Sequence, residues 1–315
     1  MQVLTTVDDD RIETQRERDE FFWLDLASPS DAELYDLGRL LNLHPIALED
    51  TREFGQRPKV DVYEENVLVV FYTARVVDDD ESTVEPIEVH VYVAGGYIVT
   101  IRQKPCVLLD QLHEDLQPRS TEDEEQLVYH IFDSLTDAFY PAISALENRI
   151  DVLEAEVLAR ARPEQRPRIY RLRQDVRGLY RLASAQRDMF PRLLDSVRSI
   201  AGLTRGSREY LRDVGDHLDQ VTGELGRQTE DLIALAGTYF NANSDRLTAV
   251  GTRLTIVGTI FVLWTLVTGF FGQNFGWLVG HINGLHHFLI FGVGGLVVPT
   301  VVLLTLFWIK RDEWF

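Results

Sequence analysis

Two long apolar runs dominate the hydrophobic pattern, and both lie near the C-terminal end of the chain. Residues 254–271 contain no ionisable side chain, and residues 288–309 contain none either. A helix needs about 20 apolar residues to cross the hydrocarbon core of a lipid bilayer. The pattern therefore predicts a two-helix transmembrane hairpin, with a first span at 254–271 and a second span at 288–309.

Positive charge flanks this hairpin only at its outer ends. The outer loop at 272–287 contains neither Lys nor Arg, whereas basic residues stand just before the first span and just after the second: Arg246, Arg253, Lys310 and Arg311. Cytoplasmic segments next to membrane helices are enriched in Lys and Arg. We therefore expect a multi-pass protein of the inner (plasma) membrane, with both termini, including the basic tail 310–315, in the cytoplasm.

The first part of the chain alternates between strand patterns and helix signals. Segments rich in branched and aromatic residues predict strands at 21–26, 59–65 and 67–77, and a hairpin at 87–102. Gly95 and Gly96 fit the hairpin turn, and Ser30 and Glu33 have the spacing of a capping box at a helix start. The pattern predicts a cytoplasmic α+β domain at 1–118.

Helical periodicity then replaces the strand pattern. Apolar residues recur three and four positions apart between Leu127 and Val157, where the spacing predicts one helix. Pro163 and Pro167 interrupt this pattern, and a second helical stretch follows them. The segment 119–200 is thus predicted to form an antiparallel helical hairpin.

A third helical segment carries a heptad pattern. Apolar residues alternate spacings of three and four from Leu211 to Tyr239, with one polar exception at Gln228, and no proline follows before Phe271. Such a seam is typical of a helix that packs against other helices. We expect a cytoplasmic stalk helix at 201–253 that continues unbroken into the first span.

The composition and the absence of common catalytic motifs argue against two functional classes, nucleic-acid-binding proteins and enzymes. The chain has 50 acidic against 31 basic residues, a net charge of −19, and a single cysteine, Cys106. An acidic surface repels nucleic acid and attracts cations. Walker A, GxGxxG and HExxH motifs are absent from the sequence. We therefore expect neither a nucleic-acid partner nor an enzyme.

Self-association of the stalk would create an aqueous path along the symmetry axis. Hydroxyl and carboxamide groups can hold a hydrated cation through its water shell, and Mg²⁺ gives up its water reluctantly. Alternatively, the threonine hydroxyls bond only to their own helix. The candidates to line the path are Thr265, Thr268, Gly269, Gly272, Gln273 and Asn274.

Several short motifs, in order along nearly the whole chain, resemble the CorA family of magnesium and cobalt channels. Residues 44–50 and 56–72 resemble the family's first strand region, 149–161 its helical hairpin, 210–221 the start of its stalk, and TGFFGQNFGW its signature loop. The resemblance implies a homopentameric funnel that admits divalent cations, chiefly Mg²⁺ and also Co²⁺ or Ni²⁺. It implies influx driven by the membrane potential and gated by cytoplasmic metal.

The resemblance also implies roles for single residues. Asn274 would form the outer selectivity ring and Thr265 a deeper polar ring, while Leu254 and Val262 match a hydrophobic constriction. The family signature Gly-Met-Asn is Gly-Gln-Asn here. Gln273 either adds acceptors to the outer ring or turns inward and stiffens the loop, and the second arrangement is preferred.

Two further departures from the family pattern lie in the membrane region. The family's pore helix has a proline before the polar threonine, where this chain has Leu263 and Trp264. The outer loop lacks acidic residues beyond Gly276 and carries His281, His286 and His287, and imidazole suits Zn²⁺ better than Mg²⁺. A zinc transporter of the ZntB type and a non-conducting membrane metal sensor therefore stand as alternatives.

The resemblance implies a regulatory metal between neighbouring subunits. Asp213 matches the family's stalk carboxylate for that site, and its partner would be an acidic residue of the neighbour's α+β domain. One loop offers four candidates that the sequence does not separate, and the same residues would also suit a solvated turn: Asp78, Asp79, Asp80 and Glu81.

Overall fold

The computed structural model describes residues 2–77, 83–116, 124–197, 205–273 and 276–309. The chain divides into two compact units. The first comprises Met1–Ala159 and Pro163–Gly237, and the second comprises Thr238–Phe315 and Arg160–Arg162.

The first unit is built on a six-stranded mixed sheet. Its strands are β1 (Gln2–Leu4), β2 (Phe22–Ala27), β3 (Lys59–Val62), β4 (Val67–Val76), β5 (Val84–Val93) and β6 (Tyr97–Arg102). Their order in the sheet is β1-β2-β6-β5-β4-β3. The pairs β1–β2 and β2–β6 are parallel, and the pairs β6–β5, β5–β4 and β4–β3 are antiparallel. The predicted strands and the hairpin with its glycine turn are confirmed, whereas β1 was not predicted.

Helices cover both faces of this sheet. They are α1 (Asp9–Glu17), α2 (Asp31–Leu40), α3 (Pro45–Glu53), α4 (Val107–Leu116), α5 (Glu124–Asp137), α6 (Phe139–Ala159), α7 (Gln165–Val197) and α8 (Arg205–Phe271). Apolar residues of α1, α2 and α3 pack on one face, and those of α4, α5, α7 and α8 pack on the other. Burial on both faces explains why β4 is apolar at most positions instead of alternating.

Helix starts follow the local sequence at α2 and α3. Ser30 Oγ accepts the Glu33 N–H (3.3 Å) and the Glu33 carboxylate accepts the Ser30 N–H (2.8 Å), which confirms the capping box. The assignment of residues 44–50 to a strand region is wrong, because these residues begin α3. His44 caps the helix by accepting the Ile46 N–H (3.3 Å), and Pro45 stands in the first turn, where a missing N–H is tolerated.

The helix predicted from 127 to 157 is two helices, because Pro141 interrupts it. Proline offers no N–H to the carbonyl four residues earlier and crowds that carbonyl, so α5 ends at Asp137 and α6 begins at Phe139. Helices α6 and α7 then run antiparallel, joined by ion pairs that connect Glu156 to Arg168 and Arg149 to Asp175.

The heptad seam of α8 packs inside its own chain. Its members between 211 and 235 are all at most 5% exposed: Leu211, Val214, Leu218, Val221, Leu225, Gln228, Leu232 and Leu235. At the polar exception, the Gln228 amide nitrogen donates to the Ile143 carbonyl of α6 (2.9 Å), while the buried side-chain oxygen of Gln228 accepts no hydrogen bond within the described residues. Periodicity predicted packing against other helices, and here those helices belong to the same chain.

The second unit contains two helical segments long and apolar enough to cross a membrane, the end of α8 and Leu285–Ile309. The latter consists of α10 (Leu285–His287), a π-helical turn (Phe288–Val293) and α11 (Gly294–Ile309), and the short helix α9 (Gly276–His281) precedes it. The α+β domain, the long helix and the two C-terminal apolar helices thus have the predicted arrangement along the chain.

Candidate functional site

Three side chains from α5 and α8 converge in the first unit. One ligand atom each of Asp133, Asp213 and His217 lies within 4.8 Å of the other two. His217 Nδ1 is 3.1 Å from Asp133 Oδ1, and His217 Nε2 is 4.0 Å from Asp213 Oδ2. Because residues four apart share a helix face, α8 presents both of its ligands together. We call these three residues the acidic–histidine cluster.

Two further side chains of α5 surround the cluster. The Tyr129 hydroxyl donates to Asp213 Oδ2 (3.0 Å), and Asp137 Oδ1 lies 3.6 Å from His217 Nδ1. Tyr129, Asp133 and Asp137 follow one another at spacings of four, so one face of α5 carries all three. This face therefore supplies a ligand, a hydrogen-bond donor and a second carboxylate to the same place.

The carboxyl groups on α5 are harder to ionise than free ones. Burial raises the pKa of Asp133, and nearby His217 offsets part of the rise. Burial also raises the pKa of Asp137, and the charge of Asp133 raises it further. A cation placed close to a carboxylate favours its ionised form. The cluster would therefore gain from a bound cation.

The donor set fits a divalent metal ion. Carboxylate oxygens are the ligands that Mg²⁺ prefers, while the imidazole nitrogen also suits Co²⁺, Ni²⁺ and Zn²⁺. Asp213 is 53% exposed and His217 is 32% exposed, so a hydrated ion can approach from solvent. A carboxylate pair with one imidazole can hold such an ion directly or through its water.

The structure describes only one of the regulatory residues expected from the sequence. Asp213 lies in the acidic–histidine cluster, whereas Asp78, Asp79, Asp80 and Glu81 lie outside the described residues. Sequence reasoning missed Asp133 and His217. The spacing of Asp213 and His217 was a usable signal, but Asp133 stands 84 residues before His217, and only the fold brings them together.

One face of the first span contacts the second span, and another face is open. The Trp264 indole Nε1 donates to Thr300 Oγ1 (2.9 Å), and Val267 packs at Gly295, where an added Cβ would lie 3.4 Å from Val267 Cγ1. On the side away from these contacts is an open groove, lined by Phe261, Val262, Thr265, Leu266, Gly269, Phe270 and Gln273. The two predicted constriction residues are both largely exposed, Leu254 at 72% and Val262 at 71%.

The two predicted pore threonines differ in position. Each residue turns an α-helix by about 100°, so Thr265 lies about 100° around the helix from Trp264, and Thr268 only about 40°. Thr268 is therefore nearer the second span. Thr265 donates to the Phe261 carbonyl and Thr268 to the Trp264 carbonyl, each over 2.8 Å. These hydroxyls keep lone pairs that can accept hydrogen bonds from water.

The signature segment is described as far as Gln273. The Gly272 N–H donates to the Thr268 carbonyl (2.8 Å), and an added Cβ on Gly272 would approach that oxygen to 3.1 Å, so the tight turn favours glycine. The Gln273 side chain is exposed and lines the groove with Thr265, and the preferred inward arrangement in the loop stays a prediction. Asn274 lies outside the described residues.

Two of the outer-loop histidines stack on aromatic rings of their own segments. The His281 ring stacks on Trp277 with a centroid distance of 4.4 Å, and the His287 ring stacks on Phe291 at 6.5 Å. Across the described ranges, the acidic–histidine cluster is the group in which three potential metal ligands converge. An imidazole ligand is thus contributed by His217 of α8, and the loop forms no such group within those ranges.

A family model and two relatives of similar length match nearly the whole of this chain. The family model described as "CorA-like Mg2+ transporter protein" matches residues 18–311. YfjQ of Bacillus subtilis is 28% identical over 302 residues, covering 94% of this chain and 90% of its own. The zinc transport protein ZntB of Cronobacter sakazakii is 26% identical over 306 residues, covering 95% of this chain and 89% of its own.

A solved structure has the same fold along nearly the whole chain. The CorA magnesium transporter from Methanocaldococcus jannaschii superposes with a TM-score of 0.78 at 22% identity, covering 93% of this chain and 91% of that one. Since the family model spans almost the entire sequence, this chain belongs to the CorA-like Mg²⁺ transporter family and is a divalent-metal transporter, not an enzyme.

Proposed function

We propose that this chain is one subunit of a homopentameric channel that admits Mg²⁺ across the plasma membrane and that cytoplasmic metal closes. Both termini would be cytoplasmic. One observation carries the proposal: α8 is a single helix from Arg205 to Phe271. Asp213 and His217 therefore stand on the same helix as the groove face of the first span. In this proposal, metal bound at the acidic–histidine cluster acts on the groove through that helix.

An exposed apolar stripe on α8 supports assembly with other copies. Large apolar side chains recur every seven residues and are all more than half exposed: Ile233, Phe240, Leu247 and Leu254. Small residues stand between them: Gly237, Ser244, Gly251 and Gly258. A heptad stripe of this kind suits packing against parallel copies around an axis, and an exposed apolar stripe outside the membrane calls for a partner. The pentamer itself follows the family resemblance.

The groove supplies the chemistry for conduction. Thr265 and Gln273 offer oxygen acceptors to the water shell of a hydrated cation, and Asn274 would add the outer ring. Leu254 and Val262 would form a constriction that closes by dewetting. An inside-negative potential favours cation entry by about 2.3 kcal/mol per charge per 100 mV. A divalent ion gains twice that, so Mg²⁺, and with it Co²⁺ or Ni²⁺, would enter passively.

The acidic–histidine cluster would provide the regulation. A cation held by Asp133 of α5 together with Asp213 and His217 of α8 would fix the long helix against the cytoplasmic core. Loss of that cation would leave the two carboxylates facing each other, with only the His217–Asp133 and Tyr129–Asp213 hydrogen bonds between the helices. The acidic residues at 78–81 of a neighbouring subunit stay candidates for further ligands.

The test is influx into liposomes that contain the purified full-length chain, under an inside-negative potential. We expect saturable uptake of Mg²⁺ that Asn274→Ala abolishes and Thr268→Val leaves in place. Native mass spectrometry of the same sample counts the subunits. A properly assembled oligomer that passes no divalent ion would contradict the channel and favour a membrane metal sensor.

A zinc transporter is the second candidate function. The imidazole in the acidic–histidine cluster suits Zn²⁺, and a relative of similar length is named as a zinc transport protein. Competition in the liposome assay separates the two candidates. Zn²⁺ uptake that excess Mg²⁺ does not reduce would replace the magnesium proposal with a zinc one.

A further inference from the structure

A hydrogen bond joins the two spans inside the membrane region. Thr300 uses its own hydroxyl proton on the Leu296 carbonyl (2.6 Å), so its oxygen lone pairs are available to the Trp264 indole Nε1–H (2.9 Å). Trp264 is 42% exposed in the single chain, and in a bilayer the surrounding hydrocarbon offers its indole N–H no water as a partner. Thr300 is therefore a built acceptor for Trp264.

A second contact lies close to this bond. Pro299 stands inside α11 and offers no N–H to the carbonyl of Gly295, four residues earlier. The first span packs at the same glycine, where an added Cβ would lie 3.4 Å from Val267 Cγ1. Gly295 and Thr300 thus hold the first span at two points five residues apart. Two such points oppose rotation of the first span about its own axis.

We propose that Trp264 and Thr300 are positioning residues that set the rotation of the first span. Thr265 is the next residue after Trp264, and adjacent residues lie about 100° apart around an α-helix. An indole held against the second span therefore keeps Thr265 and Val262 on the groove side. This inference rests on the proposed function only where it treats the groove as the ion path.

Conservative variants with matched controls test the bond. Thr300→Val removes the acceptor at nearly constant size, and Trp264→Phe keeps an aromatic ring without the N–H. Thr305→Val is the control on the same helix, because Thr305 makes the same backbone bond, to the Val301 carbonyl (2.7 Å), and has no bond to the first span within the described residues. Trp308→Phe controls for loss of an exposed tryptophan, since Trp308 is 75% exposed.

The first measurement observes the bond directly. The chain has five tryptophans, and the indole N–H resonance that disappears in Trp264→Phe is the one assigned to Trp264. We expect Thr300→Val to shift this resonance and Thr305→Val to leave it in place. An unchanged Trp264 resonance in Thr300→Val would overturn the proposal.

The second measurement reports helix rotation. A cysteine at position 265 in Thr265→Cys can be labelled with a water-soluble thiol reagent, because the native Cys106 is only 1% exposed. We expect Thr300→Val and Trp264→Phe each to slow the labelling by about threefold to tenfold, the population shift that a hydrogen bond between membrane helices supports. The double variant should be no slower than either single variant.

The possible failures are distinguishable. Labelling rates equal to those of the Thr305→Val and Trp308→Phe controls would overturn the positioning role. If the reagent does not label Thr265→Cys at all, the proposed ion path is overturned, and with it the placement of Thr265 on that path. The indole resonance would still decide whether the spans are joined at Trp264.

Discussion

The two halves of α8 carry similar periodic patterns and use them in opposite ways. Up to Leu235 the seam is enclosed by helices of the same chain, whereas from Phe240 to Phe271 no described residue is buried. The first half needs nothing outside the chain to bury its apolar face. The second half leaves its apolar face open to lipid and, in the proposed assembly, to other copies. Apolar residues at heptad spacing therefore identify a contact without identifying the partner.

The largest expected effect is on the free energy of unfolding, and it compares one leucine in each half of α8. Leu218 is 0% exposed and Leu247 is 65% exposed. Leu218→Ala should lower the free energy of unfolding of the first unit by about 2–5 kcal/mol, because it leaves a cavity. Leu247→Ala should leave that energy nearly unchanged and weaken assembly. Thermal unfolding and native mass spectrometry of the full-length protein measure both, and equal losses of unfolding energy would contradict the comparison.

The next prediction concerns stabilisation of the first unit by a bound metal ion. Co²⁺ at about 100 times its Kd should stabilise the first unit by about 2.7 kcal/mol. Asp133→Asn and Asp213→Asn should remove most of this gain, which thermal unfolding with and without metal measures. Asp219→Asn is the control, because Asp219 is an exposed carboxylate of α8, 3.8 Å from Arg187 and outside the cluster.

A different substitution at the same position, Asp213→Ala, links metal binding to ion flux. With Asp213→Ala, internal Mg²⁺ should inhibit influx less, since the proposed bridge between α5 and α8 has lost a ligand. Internal metal that inhibits Asp213→Ala and the native chain alike would exclude the cluster from gating. Metal-dependent stability that survives Asp133→Asn would exclude it as a binding site.

A smaller effect tests the groove in the second half. Thr265→Val should reduce Mg²⁺ flux by about tenfold, the effect of losing one hydrogen-bond acceptor worth about 1.4 kcal/mol. Thr268→Val should change flux little, because Thr268 lies nearer the second span. Liposome influx compares the two directly. The reverse order of effects would place the ion path on another face of the helix.

The smallest effect is a pH dependence of metal binding. The raised pKa values of Asp133 and Asp137 mean that the folded chain holds these protons more tightly than the unfolded chain. Their contribution to stability is present below the ordinary carboxyl pKa and is lost as pH rises through the raised values. A metal ion binds the ionised carboxylates. The stabilisation of the first unit by metal should therefore increase as pH rises through the raised pKa values.

Thermal midpoints with and without Co²⁺, taken between about pH 4 and about pH 7, measure this dependence. Asp133→Asn should flatten most of it, because burial acts most directly on that carboxyl group. A metal-induced shift of equal size at every pH would contradict the role assigned to the carboxylates.

Local signals in the sequence were sufficient for much of the fold. Branched and aromatic runs predicted β2 to β6, and two uncharged runs predicted the spans, because each element's own residues determine it. The break at Ala138 was also readable from Pro141 but was missed. Residues 44–50 were assigned by resemblance to a strand region, although Pro45 in a first turn is a local helix signal.

The candidate site was less accessible, because its residues meet only through the fold. Asp133 and His217 are 84 residues apart in sequence, and no local spacing connects them. Asp213 was identified by resemblance alone, with its partner expected in another subunit. In the described part of the chain, its metal-ligand neighbours are Asp133 and His217 of the same subunit.

The continuity of α8 also constrains how this chain can change length in evolution. One residue inserted between His217 and Thr265 would turn the groove face by about 100° and advance it by about 1.5 Å. The residues around the acidic–histidine cluster and around the groove would be unchanged locally, but the helical phase between the residues before and after the insertion would be lost. An insertion of seven residues would restore the phase to within about 20°. An insertion of eleven residues would do so equally well, so viable length variants in this segment should differ by seven or eleven residues.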